Sequence, residues 1–104
     1  MSTIAAVISF KAKQGEGSQV ARLIAAALPH VERESGTPLW LVLQSNADPD
    51  TVFLVDLFRD AADRDIHMSE EAAKQIVAKV PQLLSEERRI HPADLIAPIA
   101  VLLR

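Results

Sequence analysis

The stretch from Thr51 to Phe58, Thr-Val-Phe-Leu-Val-Asp-Leu-Phe, is apolar on both sides of an extended chain. Side chains alternate across a strand, so Val52, Leu54 and Phe58 share one face while Phe53, Val55 and Leu57 share the other. An antiparallel sheet with one wet face alternates polar and apolar residues instead. This segment therefore needs cover on both faces. Its single charge, Asp56, interrupts one of them. A buried carboxylate must be hydrogen-bonded or paired, and Arg59, Arg64, Arg88 and Arg89 are its candidate partners.

The neighbouring segments supply the cover for one face. Leu39 to Gln44 reads as another strand, joined to Thr51–Phe58 through Ser45-Asn46-Ala47-Asp48-Pro49-Asp50, whose residues favour turns. Residues 4–10 are β-branched-rich and uncharged, and read as a first strand. Gly15-Glu16-Gly17-Ser18 then punctuates the chain, with Ser18 the expected cap of a helix. Val20, Leu23, Ile24, Ala27, Leu28 and Val31 make one apolar helical stripe, which Pro29 kinks and Gly36 ends. Asp60 is the expected cap of a short helix from about Ala61 to His67. Ser69, followed by the acidic first turn Glu70-Glu71, restarts a helix with Ala72, Ala73, Ile76, Val77 and Val80 on its apolar face. Pro81 ends that helix or begins a short turn through Leu84. Residues 88–96 read as a fourth strand, with Pro92 marking an edge or a bulge.

The order β-α-β-β-α-β is that of the α+β ferredoxin-like arrangement, an antiparallel sheet with both helices on one face. A second copy of the same sheet is the simplest cover for the other face, giving a dimeric α+β barrel. At 104 residues the chain is expected to be one domain that buries only about two thirds of its unfolded surface, so a partner chain adds burial. The apolar run from Leu95 to Leu103, within the C-terminal segment 94–104, is an expected part of that homodimer interface.

Composition narrows the function. Fourteen acidic against eleven basic residues, a net charge of -3, argue against a nucleic-acid or anionic-membrane surface. There is no cysteine, which removes disulfides, thiolate nucleophiles and zinc-thiolate sites. The N-terminus has no basic region ahead of an apolar stretch, and the Leu95–Leu103 run is too short to span a bilayer, which takes about 20 helical residues. A cytoplasmic location is the expectation. No Ser sits in a Gly-flanked elbow, and Gly15-Glu16-Gly17 lacks the rest of a phosphate loop. His30, His67 and His91 never stand at metal-ligand spacing, so no metal site is expected.

Several of these segments together resemble a known family. Val31-Glu32-Arg33-Glu34-Ser35-Gly36-Thr37 closes the first helical region and Leu39-Trp40 opens the next strand. Val55-Asp56-Leu57-Phe58-Arg59-Asp60 is followed by Ala61-Ala62-Asp63-Arg64-Asp65-Ile66-His67, and Leu83-Leu84 precedes Ile90-His91-Pro92-Ala93-Asp94. In order and spacing they resemble the antibiotic biosynthesis monooxygenase-like proteins of the dimeric α+β barrel superfamily. Asp56, Phe58 and His67 stand where that family often shows an acid, an aromatic and a helical His. The resemblance implies a homodimer that oxidises a small phenolic, quinol or polyketide-like aromatic with O2, using neither metal nor flavin. The first strand has Ser9 and Phe10 but no Asn, which the haem-degrading relatives use near the metal, so haem degradation is disfavoured.

On this reading His67 is the catalytic base, because histidine alone titrates near neutral pH without perturbation. Asp63, four residues earlier, is the expected holder of its ring. Trp40, Phe58, Asp56 and Phe10 are the expected substrate-binding residues, lining a flat aromatic pocket. The alternative from the same residues is a non-catalytic barrel that binds a small ligand or is purely structural, with the aromatics as core fillers and His67 paired to Asp63 at the surface.

Overall fold

A computed structural model describes residues 4–97 of the chain. Its elements are β1 (Ile4–Lys11), α1 (Gly17–Ala25), a one-turn α2 (Leu28–Val31), β2 (Leu39–Gln44), β3 (Thr51–Phe58), α3 (Ala61–Ser69), α4 (Glu71–Lys79), a 3-10 turn (Pro81–Leu83) and β4 (Arg89–Asp94). The strands form one antiparallel sheet in the order β2-β3-β1-β4. The connection from β1 to β2 leaves a gap that β3 fills, and that from β3 to β4 passes over β1. This is the ferredoxin-like topology expected from the strand and helix order. No helix among the described residues is long and apolar enough to cross a membrane.

The two faces of the sheet differ, as the pattern of β3 requires. Val52, Leu54, Asp56 and Phe58 are all buried. Ile8 and Phe10 of β1 join Val52 and Leu54 in one core with Val20, Ile24, Ala27 and Val31 from the first helical region and Ala72, Ile76 and Val80 from the second. Phe53, Val55 and Leu57 point the other way and are half-exposed. In register they stand beside Leu43, Leu41 and Leu39 of β2, of which Leu41 and Leu43 are 43% and 47% exposed. Leu28 and Val77, expected on the apolar stripes, also lie at the surface.

Local rules succeed where a residue's partner is near and fail where it is far. Asp60 caps α3, its Oδ1 accepting the Asp63 N–H at 2.9 Å. Ser18 does not cap α1. Asp50, in the β2–β3 turn, accepts the Gly17 N–H at 3.0 Å and the Gly15 N–H at 3.1 Å instead. Gly17 is required there, because a Cβ would lie 1.9 Å from the Pro49 carbonyl oxygen. Pro29 divides the helix rather than kinking it, and takes the first turn of α2, where its missing N–H costs nothing. The helical region ends at Val31, before Gly36, and Glu70 rather than Ser69 precedes α4. β4 is shorter than residues 88–96 and among the described residues pairs only with β1, an edge position that tolerates Pro92. Of the apolar C-terminal run, Leu95–Ala97 is exposed, and residues 98–104 lie outside the described residues.

Candidate functional site

Three elements converge on His67. The helix α3 follows β3 after a two-residue connection, so its last turns lie back over the end of that strand and His67 points inward, 4% exposed. Phe58, at the strand's end, meets it with ring centroids 5.2 Å apart and planes tilted by 45°. Asp56, two residues earlier on the same face, puts Oδ2 3.7 Å from His67 Nε2. That distance exceeds a hydrogen bond but leaves the charges coupled. The connection from α2 to β2 brings the third group. Glu34 Oε1 lies 2.6 Å from His67 Nδ1 and also accepts the Thr37 hydroxyl at 3.2 Å. The loop approaches α3 this closely because Gly36 has no side chain; a Cβ there would stand 2.5 Å from Asp63 Cγ.

A carboxylate at Nδ1 fixes that nitrogen as the N–H donor, which leaves Nε2 with the lone pair whenever the ring is neutral. Asp56 is 2% exposed, and no arginine among the described residues reaches it. Burial pushes its carboxyl up from 3.8 to about 6. The His67 charge and a backbone hydrogen bond oppose that rise, and the Glu34 charge adds to it. The expected arginine partners are engaged elsewhere or exposed: Arg59 holds Asp63 at 2.9 Å and Arg64 holds Asp65. Asp63 is therefore not the holder of the His67 ring. It belongs to Arg59, four residues earlier in the connection that leads into α3.

Among the described residues, three buried side-chain atoms have no hydrogen-bond partner: Trp40 Nε1, Asp56 Oδ1 and Glu34 Oε2. Trp40 and Asp56 are directly opposed across β2 and β3, where side chains lie about 5 Å apart. One is a pure donor and the other an acceptor. An unmet buried donor or acceptor costs about 1–3 kcal/mol, and each in a native structure calls for an explanation such as a ligand or a water. Of the sequence-predicted residues, the structure thus gathers His67, Asp56 and Phe58, with Trp40 beside Asp56. Phe10 is not among them. It pairs with Val52 while Phe58 pairs with Ile4, six residues or about 20 Å along the strand, and it is 1% exposed within the main core.

Glu34 was not singled out in the sequence. It sits in a charged helix end, Glu32-Arg33-Glu34, that reads as solvated, and its partner comes 33 residues later. Outside it, an open cleft of about 360 Å³ is bordered by the residue 33–37 connection, Asp63 and Ile66 of α3, and Glu70 and Glu71 at the start of α4.

The sequence profile described as antibiotic biosynthesis monooxygenase matches residues 3–79. A solved structure of a protein of unknown function from Nitrosomonas europaea is 31% identical, covers 98% of this chain and 97% of its own, and superposes with a TM-score of 0.86. A Shewanella oneidensis protein is 25% identical over 90% of this chain and 91% of its own, with a TM-score of 0.82. A structure described as an antibiotic biosynthesis monooxygenase is 15% identical, covers 90% of this chain and 99% of its own, and shares the fold at a TM-score of 0.80. Among curated proteins none matches.

Proposed function

Because the chain belongs to the antibiotic biosynthesis monooxygenase family, we propose that it is a cofactor-independent monooxygenase that oxidises a small phenol, quinol or polyketide-like aromatic with O2. The observation that carries this reading is that Trp40 and Asp56 are opposed in register and each has a buried polar atom, Nε1 and Oδ1, without a partner, beside the buried His67. A phenolic hydroxyl meets both needs at once, donating to the carboxylate and accepting from the indole N–H. His67 Nε2, 3.7 Å from the other oxygen of that carboxylate, then takes up the hydroxyl proton by way of Asp56. The electron-rich anion left behind reduces O2: a quinol C–H and O2 become a hydroxyquinone and one water, with all four electrons drawn from the substrate. Phe58 and Trp40 supply the aromatic walls that keep water from the anion.

The half-exposed leucines and valines of the open sheet face support a homodimer closed sheet against sheet. A non-catalytic barrel is the second reading. What favours it is the depth of His67 and the fact that the open cleft is bordered by Glu34 rather than by Trp40 or Phe58. In that case the cluster only pins α3 to the sheet. Oxygen consumption with a panel of hydroquinones and dihydroxynaphthalenes separates the two. The enzyme reading expects substrate-dependent uptake that His67→Ala lowers by roughly 10²–10⁴-fold, the range for losing a general base. Equal rates in parent and variant, or no enzyme-dependent uptake, reject it.

A further inference from the structure

The two ring nitrogens of His67 face unlike surroundings. Nε2 looks toward Asp56, itself 2% exposed. Nδ1 meets Glu34, whose side chain is 10% exposed and which borders the open cleft. Glu34 Oε1 is occupied by His67 and Thr37, while Oε2 has no partner. A base buried this deeply can follow the pH of the solution only through a group that reaches water, or through local opening of the helix that carries it.

We propose that Glu34 is the proton port of the buried site, carrying protons between His67 Nδ1 and the cleft formed by its own loop, α3 and the start of α4. The inference rests on the reading of His67 as the site's base. The step is a simple proton transfer. From the ring protonated at both nitrogens the Nδ1–H bond breaks, an O–H bond forms on the Glu34 carboxylate, and the neutral ring keeps its proton on Nε2. The carboxylic acid releases its proton to water in the cleft, and the reverse path returns a proton to Nδ1 once Nε2 has given its own up; nothing is oxidised or reduced. The groups facing the path from the surrounding elements suit it. Asp63, Glu70 and Glu71 add further acceptors, and Arg33 and His30 also border the cleft. Asp56 is the only carboxylate on the inner side of the ring among the described residues. Glu34 touches neither substrate nor oxygen in this scheme. It acts by setting the tautomer and the protonation rate of His67.

Proton exchange at His67 can be read without any substrate, by NMR of the intact protein labelled with 15N-histidine. Glu34→Gln keeps an acceptor for Nδ1–H but cannot ionise. The tautomer should stay as in the parent, while exchange of the Nδ1 proton with water slows by about tenfold or more, because it then waits on local opening. In Glu34→Ala, added acetate should restore exchange in proportion to its concentration. Exchange in Glu34→Gln as fast as in the parent, or exchange in Glu34→Ala that ignores acetate, overturns the proposal. Slowed exchange in a protein that consumes no oxygen with any quinol rejects the enzyme reading and leaves the port standing.

Discussion

Replacing Asp56 with Asn keeps the shape of a side chain that is 2% exposed and removes its charge. In the folded protein burial raises the carboxyl from 3.8 to about 6. At roughly 1.4 kcal/mol for each tenfold change in proton affinity, that rise is worth about 3 kcal/mol at most. The sign follows from which form the fold prefers. Folding favours the protonated acid, so this contribution is fully present below about pH 4 and is lost as the pH climbs through about 6. Asparagine has no such dependence, and Asp56 Oδ1 has no hydrogen bond to lose. The stability of Asp56→Asn minus that of the parent should therefore grow by up to about 3 kcal/mol between pH 4 and pH 8. Urea unfolding of both proteins across this range gives the difference, with the single tryptophan, Trp40, opposite Asp56 as the fluorescent probe. A difference that is flat with pH, or an Asn variant less stable than the parent at pH 8, would refute the claim that a carboxylate is held here against its solvation.

Further perturbations test the rest of the account. Quinol-dependent oxygen uptake should rise as the pH passes through about 6, because in the proposed mechanism the ionised Asp56 carboxylate is the stronger acceptor for the substrate hydroxyl and its proton; a rate that falls over that range contradicts the assignment. Gly36→Ala should destabilise the fold by about 1–3 kcal/mol, since a Cβ 2.5 Å from Asp63 Cγ forces the loop off α3. Calorimetry measures the loss. Asp60→Ala should cost about 1 kcal/mol by removing the cap of α3, read from the same thermal scans. Val55→Glu puts a charge at the centre of the open sheet face, between Val7 and Leu41 in register. It should convert a dimer to a folded monomer in sedimentation, and an unchanged assembly would show that this face is not the interface.

The sheet and its hairpin are legible because period-two alternation and turn chemistry are local. Leu39–Gln44 and Thr51–Phe58 begin and end where those signals change. The same locality explains the misses. Ser18 looks like a helix cap, but Asp50, more than thirty residues away, holds the start of α1. Asp63 stands one helical turn from His67, yet Arg59, just ahead of the helix, also reaches it, and a full opposite charge wins. Asp56 was legible as an oddity, a lone charge in an apolar strand, while its surroundings were not. They depend on how a loop and a helix from either side of the hairpin close over the strand. Glu34 is the extreme case, a surface-looking acid whose burial is decided by the absence of a side chain at Gly36.

Labelled oxygen gives the sharpest test of the central claim, that this fold uses His67 and its carboxylate neighbours to insert oxygen into a phenol or quinol. The parent protein would be incubated under 18O2 with whichever hydroquinone or dihydroxynaphthalene it consumes, and the product analysed by mass spectrometry. The account predicts one 18O atom in each hydroxyquinone formed, the second appearing in water, and loss of both in His67→Ala. A product without label, with hydrogen peroxide formed in its place, would contradict it.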